Sequence, residues 1–149
     1  MKVTATIRTM SDVDALRTAV VLAIERLCFA SADSFSAELP PGDSIDASVA
    51  FRGSVCGAVS VAIPPETLRG FAEAFLPPDA LEQATTLADF VSEIANIVCG
   101  NVVPRIFGRA EVYELSPPQL ARSAGPPIAT AVVNFDGGWV AAILHGGEG

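Results

Sequence analysis

The stretch IDASVAFRGSVCGAVSVAI, residues 45–63, alternates apolar and polar side chains as far as Phe51 and turns at Arg52-Gly53-Ser54. It then runs back from Val55, with Val55, Gly57, Val59, Val61 and Ile63 on one face. Two period-2 runs about a glycine-bearing turn predict a β-hairpin. Working outward, residues 11–30 read as a helix. Ser11 stands at the N-cap, Asp12 and Asp14 in the first turn, and Leu16, Val20, Ala23, Ile24 and Leu27 recur at helical spacing. A polar loop bearing Pro40, Pro41 and Gly42 is expected between that helix and the hairpin.

Beyond the hairpin, Pro64-Pro65-Glu66 opens a short helix to about Leu76. Pro77-Pro78-Asp79 breaks it and starts a longer one, predicted from Asp79 to Val103 with Pro104 as its limit. Residues 110–115 and 128–135 read as strands, and Asp136-Gly137-Gly138 turns into a last strand, Trp139 to Leu144. A helix followed by a hairpin thus occurs twice, with Phe51-Arg52-Gly53 at the first turn and Phe135-Asp136-Gly137 at the second. The expected architecture is one domain over residues 1–149, of α+β class. An antiparallel-rich sheet packs against helices in an internal helix-plus-hairpin pseudo-repeat.

Composition narrows the function. Half of the 149 residues are apolar and 17% charged, which fits a packed core rather than disorder. A net charge of −8 disfavours nucleic acid or an anionic membrane as partner. No apolar run approaches the ~20 residues of a membrane span, and no signal peptide is read at the start. The three cysteines, Cys28, Cys56 and Cys99, are widely spaced and form no C-x-x-C pair. They are expected to be ordinary buried thiols in a cytoplasmic protein, with no metal bound.

The chemistry concentrates on the longer helix. On a wheel at 100° per residue, Leu87, Val91, Ile94, Val98 and Val102 form the core stripe, and Asp89, Glu93, Asn96 and Gly100 line the opposite ridge. That ridge is poorly chosen for stability. Asp89 and Glu93 are like charges at i, i+4, Asn96 is a weak helix former, and Gly100 costs about 1 kcal/mol against alanine. No Lys or Arg between residues 70 and 104 compensates. A bare glycine lets another backbone come close. An asparagine cannot serve as a general base, yet it can hold a water. Hydrolysis of an acyl phosphate has a loose transition state, so positioning the water is worth more than base catalysis.

The run from Asp89 through Glu93, Asn96 and Gly100 to Asn101 resembles the D-x-x-x-E-x-x-N-x-x-x-G-N signature of the CheX/CheC/FliY chemotaxis phosphatases. Phe51-Arg52-Gly53 with the strand ending at Ile63 resembles that family's first hairpin, and Ser116-Pro117-Pro118 its proline-bearing segment. The likeness covers about residues 10–145. It implies a CheC-like fold and a phosphatase acting on the aspartyl phosphate of a CheY-like response regulator. It makes Glu93 and Asn96 the catalytic pair, Glu93 contacting the regulator's lysine and Asn96 orienting the attacking water. Asp89 and Gly100 would contact the partner. The regulator would bring its own Mg2+, and this chain would hold no cofactor. Some members carry a second E-x-x-N on the first helix. Here Leu22 and Glu25 stand at the corresponding places, so the resemblance implies a single site, as in CheX-like members that form homodimers through their sheets.

The competing reading is a non-catalytic adaptor for a response regulator or flagellar-switch component. The presence of both Glu93 and Asn96 favours the enzyme. A hydrolase with its own nucleophile lacks a G-x-S-x-G motif and a histidine suited to a triad. Asn101 is expected to be partly buried and bonded to backbone. His145 should serve local packing or surface, and Trp139 the core or an interface. Arg52 and Arg69 are candidates for contacts with an acidic partner, with solvent exposure the default.

Overall fold

The structure, a computed structural model, describes residues 11–28, 30–83, 85–108, 112–136 and 138–147. Helix α1 (Asp12–Cys28) is followed by β1 (Ala32–Ser36), β2 (Ile45–Arg52), β3 (Gly57–Ile63) and α2 (Pro65–Phe75). A 3-10 turn (Ala80–Glu82) leads to α3 (Thr86–Phe107), then β4 (Glu114–Leu115), β5 (Pro127–Phe135) and β6 (Gly138–Gly146). The strands form one six-stranded sheet in the order β1-β5-β6-β3-β2-β4, with every pairing antiparallel. Exchanging each strand of the first half for its counterpart in the second reverses that order and leaves it unchanged. The pseudo-repeat is therefore a property of the whole sheet, and β3 and β6 meet at its centre.

The hairpin of residues 45–63 forms as expected, with Val49 opposite Val59 and Phe51 opposite Gly57. Its turn is longer than predicted, because β2 runs to Arg52 and β3 begins at Gly57. Gly57 is needed there: an added Cβ would lie 2.6 Å from the carbonyl oxygen of His145 and 2.7 Å from the Phe51 ring. One face of the sheet carries Val49, Val59, Val61, Val133, Val140 and Leu144 onto α1, α2 and α3. Leu16, Val20 and Ile24 of α1 and Val91, Ile94, Val98 and Val102 of α3 are fully buried against it. That burial is the main drive for the fold, at about 1.5–3 kcal/mol per large side chain.

The other face of the sheet is covered by chain rather than by helices. Ala62, Val132 and Ala141 form a small second cluster there, against which Leu39 and Trp139 pack. Residues 116–119 run along the outer edge of β2, and residues 120–126 then cross this face as a strap. Gln119 exchanges main-chain hydrogen bonds with Ser48, the Ser123 amide donates to Ser60 Oγ at 2.9 Å, and Arg122 reaches Asp46 at 3.0 Å. Coverage on both sides explains why all seven residues of β3 are buried, polar Ser60 among them.

Four expectations are corrected. The loop after α1 contains β1, a polar edge strand paired in the sheet with β5. The long helix does not start at Asp79. Residues 80–82 make a separate 3-10 turn, and the Thr86 hydroxyl donates to the Ala80 carbonyl across the join. Nor does Pro104 end the helix. A proline forfeits one hydrogen bond, but burying Ile106 and Phe107 carries the helix a turn further. Gly108 ends it with φ +91°. The strand expected over 110–115 is Glu114–Leu115 among the described residues; residues 109–111 lie outside them.

Candidate functional site

Helix α3 lies beside α1 on one face of the sheet, α3 packing on β2 and β3 and α1 on β5 and β6. Its buried arc is wide: Phe90, Val91, Ile94, Ala95, Val98, Cys99, Val102, Val103, Ile106 and Phe107 all face inward. What remains in solvent is narrow. The exposed residues of α3 are Asp89, Glu93, Asn96 and Gly100, with half-buried neighbours on either side. The structure thus brings the four predicted ridge residues together on one outward line about 16 Å long, from eleven residues at 1.5 Å each.

The ridge is rigid because everything behind it is packed. Val91, Ile94, Ala95 and Val98 are fully buried and fix the rotation of the helix. Asp89 is better placed than its like-charged spacing to Glu93 suggests. It sits in the first turn of α3, where a carboxylate meets the positive end of the helix dipole, and its amide donates to the Thr85 carbonyl at 2.9 Å. Gly100 faces open space: an added Cβ would find no atom within 4 Å. The glycine is therefore not required by the packing of this chain.

Asn101, next in sequence, belongs to the flank. It is half-buried, donates from Nδ2 to the Ile97 carbonyl at 2.9 Å, and accepts at Oδ1 from Arg105 Nη1 at 3.0 Å. On α1, Leu22 is half-buried and Glu25 exposed, so no Glu–Asn pair is presented there. Arg52 pairs with Glu114 at 2.8 Å and Arg69 with Glu73 at 3.7 Å, both in solvent.

Two cavities lie away from the ridge. One of about 410 Å³ is lined by Phe51, Arg52, Cys56 and Glu114, another of about 440 Å³ by Cys28, Glu66, Phe71 and Asp136. Neither includes a ridge residue. Of the thiols, burial pushes Cys28 and Cys99 up to about 12, while Cys56 is half-buried rather than buried as expected. His145 is buried on the strap side of the sheet, bonded to Ser60 and Gly125. Among the described residues no group of three or more His, Cys, Asp or Glu side chains could hold a metal ion. By length and composition α3 could cross a membrane, but here it is a core helix packed against α1 and strands β2 and β3.

Sequence reasoning placed Pro104 at the helix end; the same wheel, continued one turn, puts it beside the ridge, about 40° from Gly100, where it is half-buried.

Comparison with known proteins bears on the fold and the family. The fold is shared with CheX of Desulfovibrio desulfuricans, at TM-score 0.73 and 12% identity, covering 93% of this chain and 100% of that one. It is shared with a chain of the CheX–CheY–BeF3–Mg2+ complex of Borrelia burgdorferi, at TM-score 0.68 and 15% identity, covering 93% and 99%. Thermotoga maritima FliY matches at TM-score 0.54 and 11% identity, covering 90% and 86%. No curated protein matches the sequence. The family model described as chemotaxis phosphatase CheX matches residues 45–135, from the first residue of β2 to the last of β5 with the whole of α3 between them. On that match, which spans most of the chain and its entire exposed ridge, the protein belongs to the CheX family of chemotaxis phosphatases.

Proposed function

We propose that this chain docks on a phosphorylated CheY-like response regulator and speeds hydrolysis of its aspartyl phosphate. The observation that carries the reading is the exposure pattern of α3, whose outward residues are the carboxylate and carboxamide of the signature with Asp89 and Gly100 beside them. The CheX–CheY complex that shares this fold supports the choice of partner.

In this reading Glu93 enters the regulator's active site and grips its lysine. The Asn96 carboxamide holds a water in line with the phosphorus, its oxygen accepting from the water and its nitrogen donating. The water oxygen bonds to phosphorus as the bond to the aspartyl oxygen breaks, releasing inorganic phosphate and the regulator's free carboxylate. The transition state is loose, so fixing the water's position supplies most of what this chain adds. The regulator's Mg2+ offsets charge on the phosphoryl oxygens, and this chain contributes no metal ligand. The outward exposure of the ridge fits such a half-site, since phosphoryl group, lysine and metal ion belong to the partner. A cytoplasmic homodimer formed through the sheets completes the proposal.

The test is the decay of phosphorylated regulators from the source organism, screened one by one with wild type and with Asn96→Ala. Wild type is expected to shorten the lifetime of at least one regulator. Asn96→Ala should lose that effect by about 100-fold or more, the scale of a misplaced reacting group. Equal decay with both proteins refutes the mechanism. Binding without faster decay across the panel would instead identify an adaptor.

A further inference from the structure

Helix α3 passes through Pro104 and continues to Phe107. A proline has no N–H, so the carbonyl of Gly100 lacks the amide it would accept from in a regular helix, and the proline ring crowds that same carbonyl. Gly100 is exposed and Pro104 half-buried. On the wheel Pro104 stands about 40° to one side of Gly100 and Asn96 about 40° to the other. The gap in the hydrogen-bond ladder therefore opens at Gly100 on the ridge, about 6 Å along the helix from Asn96.

The helix does not relieve the gap by unravelling. On the flank, Asn101 donates to the Ile97 carbonyl at 2.9 Å. Arg105 Nη1 donates to Asn101 Oδ1 at 3.0 Å and to the Asn101 carbonyl at 3.2 Å. This side-chain ladder spans residues 97–105 beside the missing bond. Beyond it, the Gly108 amide donates to the Pro104 carbonyl at 3.0 Å. Two of the weakest helix formers thus sit four residues apart, Gly100 exposed and Pro104 half-buried beside it, in a helix braced around them.

We infer that the docking face extends past Gly100 to Pro104, and that the Gly100 carbonyl accepts a hydrogen bond from an N–H donor of the docked regulator. The inference rests on the proposed function, because it takes the regulator as the occupant of this ridge. Glycine admits the donor and proline keeps the carbonyl available to it.

The probe is the regulator that responds best in the decay screen, loaded with Mg2+ and beryllofluoride. Pro104→Ala and Pro104→Ser both return the amide to the helix with different side chains. Each is expected to melt at a higher temperature than wild type and to bind the loaded regulator roughly three- to tenfold more weakly, the equilibrium worth of one hydrogen bond. The rise in melting temperature separates this outcome from damage to the fold. Gly100→Ala, whose methyl meets nothing in the free protein, is expected to weaken binding as well. If either proline variant binds as tightly as wild type, the inference is overturned. If Asn96→Ala leaves decay as fast as wild type, the underlying reading fails instead, so the two failures are distinct.

Discussion

Replacing Ser60 by alanine should cost this protein more stability than any other single hydroxyl removal. Ser60 is fully buried in β3, and its Oγ lies 2.8 Å from His145 Nε2. His145 is 3% exposed, and its other nitrogen, Nδ1, is 3.0 Å from the Gly125 carbonyl. A carbonyl can only accept, so Nδ1 carries the proton and Nε2 accepts from the serine hydroxyl. Ser60 Oγ in turn accepts from the Ser123 amide at 2.9 Å. Truncation leaves His145 Nε2 unpaired in the interior and strips a half-buried amide of its acceptor. An unsatisfied buried group costs about 1–3 kcal/mol, so the two together are worth about 2–4 kcal/mol with the half-buried amide discounted. For a chain of this size that is roughly 4–16 °C in melting temperature. The assay is equilibrium unfolding in urea at pH 8, where the imidazole is neutral. Ser60→Ala in a His145→Ala background should cost at least about 1 kcal/mol less, since one orphan is then gone. A loss under about 0.5 kcal/mol in the wild-type background would show that the three groups are not paired as described.

Burial, helped by nearby Arg122, lowers the His145 pKa below its ordinary value against a smaller opposing effect of the Gly125 bond. The unfolded chain therefore takes up the proton first as pH falls, so stability should be level above about pH 6.5 and decline below it toward the lowered folded value. The urea midpoint of His145→Gln should lack that decline. Alkylation at pH 8 followed by mass spectrometry should modify Cys56 well before Cys28 or Cys99, whose thiols burial holds at about 12. Ile94→Ala, at a fully buried site behind the ridge, should lose about 2–5 kcal/mol of stability, read from its unfolding midpoint. Asn96→Ala at the exposed ridge should stay within about 0.5 kcal/mol of wild type by the same measurement, so a loss of phosphatase activity there is not a loss of fold.

The ridge was legible because a helix has a fixed angular step. Once the core stripe of α3 is recognised, the outward positions of Asp89, Glu93, Asn96 and Gly100 follow from arithmetic. The end of the helix was not legible, because it depends on a contest the local sequence does not display. Pro104 argues for stopping, and the burial of Ile106 and Phe107, decided by the sheet beneath them, argues for continuing. β1 escaped notice for a related reason. Ala-Asp-Ser-Phe-Ser has the composition of a loop, and it is a strand because β5 offers it an edge more than ninety positions away. The segment 116–126 reads as a loop and is one. Its partners Ser48, Ser60 and Asp46 are joined to it by tertiary structure alone. The two hairpins, whose signals are local, appeared where expected with boundaries shifted by one to a few residues.

The strand order has a consequence for how the chain is made. β1, from the first half, pairs with β5 of the second, while β4, from the second half, pairs with β2 of the first. Each half lends its outer strand to the other, and the two are sewn together at the centre by β3 and β6. As the chain leaves the ribosome, its first hundred residues hold strands whose neighbours have not yet been synthesised, and the centre closes only when residues 138–146 emerge. Such long-range pairing favours slow, all-or-none folding, with little tolerance for a nascent chain released short of its end.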